Sequence, residues 1–158
     1  MRVFAALFAL LFSAAPAHAQ YAEKQSALSP PRGCTITFHA GPEVKSVIDT
    51  RGFNFLYYSE LCNWLRDRSL GVEVVGVPSV QQGRAIGWVT VRLLDLNTWT
   101  ISPGYRATTY ARIDTTTYGA QGELMRAVNA AMNDMYTDRA GQHRELLDRM
   151  NRIRNTIR

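Results

Sequence analysis

Beyond residue 19 the 158-residue chain carries two histidines, His39 and His143, and two cysteines, Cys34 and Cys62. A zinc-type site needs three or four such side chains to converge, completed here by carboxylates or thiolates. The two histidines are far apart and fall on segments of different type, which leaves His39 as a polar residue at a strand end. No GxSxG elbow, P-loop, GxGxxG after a strand or HExxH occurs. Hydrolysis of a polymer by paired carboxylates needs two acids held at a set separation. The spacing of Glu43, Asp49, Glu60 and Asp95 forces no two of them together, and Asp95 stands ahead of Leu96-Asn97-Thr98, where a turn takes an Asx side chain. The sequence therefore predicts no catalytic residue, no metal site and no cofactor.

The cysteines depend on the compartment. Arg2 is a short positive start, residues 3–12 are apolar but too few to span a bilayer, and Ala17-His18-Ala19 is a small-x-small cleavage site before Gln20. Residues 1–19 read as a signal peptide, so the mature chain is expected in the periplasm or outside the cell. The first cysteine is Cys34, so nothing at the cleavage point offers a lipid anchor. In an oxidising compartment two cysteines pair, and one connectivity exists, Cys34 to Cys62. Closing that loop contributes roughly 3 to 4 kcal/mol in the chain-entropy model.

The remaining constellation is the C-terminal tail, residues 139–158. Arg139, Arg144, Arg149, Arg152, Arg154 and Arg158 stand there against Glu145 and Asp148, a net +4, whereas residues 20–138 balance to zero. Within the tail His143, Leu146, Met150, Ile153 and Ile157 step by three, four, three and four, an apolar helical seam. Glu145 to Arg149 and Asp148 to Arg152 have helix-stabilising spacing. A seam this short needs cover. Leu146, Met150, Ile153 and Ile157, flanked by Arg149 and Arg152, are expected to contact a partner: most directly a second copy, otherwise the chain's own domain, an envelope protein or an anionic membrane surface. Export argues against nucleic acid.

These residues must be positioned by the middle of the chain. Residues 20–33, with Ser26, Ser29, Pro30, Pro31 and Gly33, read as a flexible lead-in. Residues 34–38 alternate as a strand stopped by Gly41-Pro42, and residues 44–48 read as another short strand. Tyr57, Leu61, Trp64 and Leu65 fall on one helical face. Residues 71–77 form a β-branched run closed by Pro78. In residues 86–94, Val89, Val91 and Leu93 alternate with Trp88, Thr90 and Arg92. A return strand is expected to start at Trp99-Thr100-Ile101 and to resume over residues 105–117. Residues 119–136 form a helix with Leu124, Val128, Ala131 and Met135 on one stripe, and a break near residues 138–141 is expected to separate it from the tail helix. The fold class is α+β: a mainly antiparallel sheet in α-β-β-β-α order after an N-terminal strand, with the domain spanning 34–138 and a C-terminal amphipathic helix after it. Leu61, Trp64, Leu65, Val89, Val91, Leu93, Leu124, Val128 and Ala131 should make one core.

The segment Gly87-Trp88-Val89-Thr90-Val91-Arg92-Leu93-Leu94-Asp95-Leu96-Asn97-Thr98, followed by Ile101, Gly104 and the Ala-rich helix 123–135, resembles the strand, D-x-x-T turn, strand and helix of bacterial envelope-assembly proteins. These include the curli secretion channel subunit, flagellar outer-membrane assembly proteins and transport-auxiliary lipoproteins. The helix with Leu61 and Leu65 leading into Gly71-Val72-Glu73-Val74-Val75 is similar too. The family pattern has glycine after the turn threonine, where this chain has Trp99. The resemblance implies a non-enzymatic α/β domain that binds other envelope components, and it brings no catalytic residue. Alternative expectations are a small secreted hydrolase of an envelope polymer and an inhibitor or immunity-type protein that caps another secreted protein.

Overall fold

A computed structural model describes residues 33–156. The expected signal peptide, nearly all of the lead-in and Ile157 of the tail seam lie outside the described residues. Along the chain come β1 (Phe38–Ala40), α1 (Pro42–Arg51), α2 (Tyr58–Arg66), β2 (Leu70–Gln81), β3 (Arg84–Asp95), β4 (Arg106–Ile113) and α3 (Thr117–Thr156). The strands form one sheet in the order β1-β2-β3-β4, with β1 parallel to β2 and the other pairs antiparallel. The α+β class and the order α2-β2-β3-β4-α3 are as the sequence implies.

Besides a first strand that lies at Phe38–Ala40 instead of residues 34–38, four local expectations are corrected. Residues 44–48 belong to helix α1: Pro42 opens it, Glu43 sits in its first turn, and the buried side chains Val44, Val47 and Ile48 recur at helical spacing. β2 does not stop at Pro78, which pairs with Gly87 inside the ladder. The Val72 amide donates to Thr37 O on the β1 side at 3.0 Å, so even-numbered residues of β2 point away from β3. β1 reaches only to the level of Val74, so the donor that proline lacks would have faced an open edge. The return strand does not start at residues 99–101. Trp99 has φ 56, a left-handed conformation that glycine adopts more readily; Ile101 makes one isolated bridge to Leu94 before β4 begins at Arg106.

The fourth correction concerns the break at residues 138–141, because α3 is one helix of 40 residues. The stripe of Leu124, Val128, Ala131 and Met135 passes through Gln142 to Leu146, all buried. Its phase is kept when it is counted through Gln142 instead of His143. The Ser102 hydroxyl donates to Gln142 O at 3.3 Å. Packing along this stripe outweighs the roughly 1 kcal/mol that a glycine such as Gly141 costs within a helix. At the other end, Asp114 Oδ1 accepts from the Thr116 amide and hydroxyl, and Thr116 Oγ1 accepts from the Gly119 amide at 2.9 Å, an N-cap.

The helices occupy a single face of the sheet, where alternation directs Val72, Val74, Val89, Val91 and Leu93, all essentially inaccessible. α3 lies across β2, β3 and β4 on this face. The approach is closest at Gly87, where an added Cβ would stand 2.0 Å from Leu124 N and 2.2 Å from the Glu123 carbonyl carbon. Gly76 makes the adjoining slot, since a Cβ there would meet Leu124 Cδ1 at 2.9 Å and Trp88 O at 2.7 Å. The expected core residues pack together, except that Trp64 is only half-buried at the margin. Cys34 and Cys62 are disulfide-bonded with their Cα atoms 6.1 Å apart, tying α2 to the segment before β1. Tyr58 Oη donates to Cys34 O at 3.1 Å across the same junction.

Two stability outcomes follow from this packing. Gly87→Ala should cost about 3 kcal/mol, the upper end of ordinary overpacking because the obstacle is backbone, and Leu93→Ala and Leu124→Ala about 2 to 5 kcal/mol each. Urea unfolding is the measurement; losses below about 1 kcal/mol at all three would mean that the helix is seated elsewhere. Cys62→Ser should lower the stability of the oxidised protein by roughly 3 to 4 kcal/mol. Two free thiols, counted by non-reducing mass spectrometry of material exported during expression, would refute the pairing.

Candidate docking surface

The structure distributes the residues of the expected tail seam unequally. Leu146 is wholly buried in the chain's own core, and Met150 packs against its margin. That side of the seam is covered within the chain, which removes Leu146 from any contact with a second copy. Ile153 is 44% exposed, and Ile157 lies outside the described residues. Arg149 Nη1 donates to Ile101 O at 2.9 Å, tying the helix to the loop before β4. Arg152 is exposed.

The carboxylates stay apart. Asp49 pairs with Lys45 at 2.6 Å. Asp95 Oδ1 accepts from the Asn97 and Thr98 amides and the Thr98 hydroxyl, which is the turn chemistry its position implies. Sequence reasoning missed Glu123: it is 1% exposed and ion-paired to Arg112 at 3.3 Å and Arg126 at 2.8 Å, with the Arg126 guanidinium 4.5 Å from the Tyr110 ring centroid. This cluster fastens β4 beneath the first turns of α3. Among the described residues, no three His, Cys, Asp or Glu side chains form a metal-type cluster. No helix among them is long and apolar enough to cross a membrane.

A groove of about 330 Å³ lies where α2 meets the start of β2, floored by Ile36, Cys62, Leu65 and Leu70. Its one charged wall residue is Arg66, and neither a carboxylate nor an imidazole lines it. His39 is not in it: the imidazole stands edge-on to Trp99 at 6.2 Å, beside Glu73 in the β1–β2 register.

The most unusual surface is the other side of the sheet. Alternation directs Val75 and Val77 of β2, Ile86, Trp88 and Thr90 of β3 and, through the β3–β4 register, Ala107, Thr109, Ala111 and Ile113 of β4 away from the helices. Val75 is 42%, Val77 51%, Trp88 40% and Ile113 89% exposed. Charge is confined to the ends of this face, with the Glu73–Arg92 pair (Nε to Oε2, 2.7 Å) at one and Arg84 at the other. A solvated antiparallel face ordinarily alternates to polar residues. Apolar area rimmed by charge marks a site of contact. The signal was present in β2, where valines fill both phases, Val72 and Val74 against Val75 and Val77, although only one phase can meet the helices.

No protein-family model, curated protein or solved structure matches this chain.

At the helical margin His143 packs edge-on to Trp64, with ring centroids 5.6 Å apart. Burial holds its pKa below the usual 6.5, the positive charge of Arg68 adds to this, and Asp95 opposes it. The unfolded chain then binds more protons than the folded one just below pH 6.5, so this contribution to stability is complete above that pH and is lost as the pH falls. Between pH 8 and about pH 5, His143→Gln should lose less stability than the parent. Parallel unfolding curves for the two across that range would contradict the assignment.

Proposed function

We propose that the chain is an exported, non-catalytic binding or assembly module of the bacterial cell envelope, which engages a protein partner through the open face of its sheet. The observation that carries this reading is the exposed apolar row of Val75, Val77 and Trp88 in the middle of a sheet whose opposite face carries the helices and the core. Placing such a row against a partner removes apolar surface from water, which favours association by roughly 25 cal/mol per Å² before ordering costs. Three further observations are consistent with it. The disulfide suits an oxidising compartment. The groove brings together no acid–base pair, which weighs against the hydrolase alternative. The resemblance of residues 53–136 to envelope-assembly proteins implies the same class. An inhibitor or immunity-type protein would use the same face, so it differs in the partner and not in the surface.

The test is site-specific photocrosslinking in intact envelopes. A benzophenone side chain at position 77 or 88 should give discrete adducts with another protein, whereas one at Arg152 on the helical tail should not. Adducts from Arg152 alone would move the docking surface to the tail, and adducts from none of the three would remove the reading.

A further inference from the structure

The sheet has an unguarded edge. β4 is the last strand in the order, and no other described strand pairs with its outer side. The Asp114 amide donates to Gly83 O at 3.2 Å. With the unbroken β3–β4 register, this commits the even-numbered residues of β4 to the ladder and turns the amides and carbonyls of Ala107, Thr109, Ala111 and Ile113 outward. Edge strands in soluble proteins are ordinarily protected by lysine, proline, a bulge or an inward charge. β4 has no lysine, proline or bulge; its two charges, Arg106 and Arg112, lie on the helix-facing side, where each is ion-paired within the chain, to Asp138 and to Asp114 and Glu123, and its open-face side chains, Ala107, Thr109, Ala111 and Ile113, are all uncharged.

We propose that two copies of this chain join by antiparallel pairing of their β4 strands about a two-fold axis at Tyr110, fusing two four-stranded sheets into one. The sequence of the edge selects the partner. Two copies of one strand related by a closed dyad must run antiparallel, and of the two registers that overlap nearly the whole of β4 one is self-complementary. With the axis at Thr109, Arg106 faces the partner's Arg112, a like-charge pair that disfavours the contact. With the axis at Tyr110, Ala107 faces the partner's Ile113, Thr109 the partner's Ala111, and Arg106 the partner's Asp114. Every outward amide and carbonyl from Ala107 to Ile113 then finds a partner, the 89%-exposed Ile113 is covered in part, and the charges across the dyad are opposite. The axis is normal to the sheet, so both open faces lie on one side and form one continuous apolar surface. This inference rests on the reading of that face as a docking surface and enlarges it.

Sedimentation velocity of residues 20–158, from micromolar to submillimolar concentration, should show a species of twice the chain mass. Thr109→Pro should be monomeric with an unchanged far-UV spectrum, because the amide it loses points away from β3. In the parent, the amides of residues 107, 109, 111 and 113 should exchange at least about tenfold more slowly on concentration, a readout that needs no variant. A monomer at every concentration, or a dimer that survives Thr109→Pro, overturns the proposal. A dimer dispersed instead by polar substitution of Leu147 and Ile153 would place self-association on α3 and overturns it equally. A monomer that still gives photoadducts from positions 77 and 88 leaves the docking reading standing. A dimer without such adducts would do the reverse.

Discussion

Backbone meets backbone where Leu124 of α3 sits over Gly87 of β3, with no room for even a methyl group between them. That approach sets the helix low enough for Leu124 to enter the slot beside Gly76 and for Val128, Ala131 and Met135 to follow along the sheet. It also aims the rest of the helix. Once the first turns are capped by Thr116 and held to β4 through Glu123, Arg112 and Arg126, the same unbroken helix carries Gln142 and Leu146 into buried positions. A packed core of this density tolerates little adjustment, since interiors are filled like molecular crystals. Gly87 is therefore a positional requirement of the fold and more than a permissive residue in a strand.

Much of this was written in local patterns. The alternation of Val89, Val91 and Leu93 and the stripe from Leu124 to Met135 identified the two surfaces that meet, and the expectation of export, with two cysteines, identified the disulfide. What escaped had physical reasons. Val44, Val47 and Ile48 form too short a run for period alone to separate strand from helix, and the decisive cue was Pro42 at the first helical position. Pro78 reads as a stop only if its missing donor is needed, which depends on how far β1 extends. The break in α3 was inferred from His143 as a seam residue, whereas the buried position is Gln142, a polar residue that a search for apolar periodicity passes over. The pairing of Glu123 with Arg112 joins residues on different elements and has no sequence spacing to betray it.

The docking face follows from the same asymmetry. One long helix and two short ones cover one side of four strands, while the other side is covered only at its β1 end, where Trp99 packs edge-on to His39 and Leu94 is buried. The valines of β2 in both phases show that the strand is suited to burial on two sides, although the chain supplies a helical layer for one. The tail, by contrast, is largely accounted for by its own domain through Leu146, Met150 and the Arg149 contact to Ile101. Its remaining arginines then read as a solvated face and not as the recognition element. The proposed interaction surface thus moves from the basic helix, where composition pointed, to the sheet.

The most direct test of the account is a ¹⁵N-edited NOESY spectrum of the mature protein, read at Gly87 and at Trp88. These neighbours point to opposite faces of the sheet, so one spectrum examines both halves of the claim. The account predicts strong cross-peaks between the Gly87 α protons and the amide of Leu124, and none between the Trp88 indole and any proton of α3. Cross-peaks joining α3 to Trp88, or their absence at Gly87, would show that the helix covers the face described here as open.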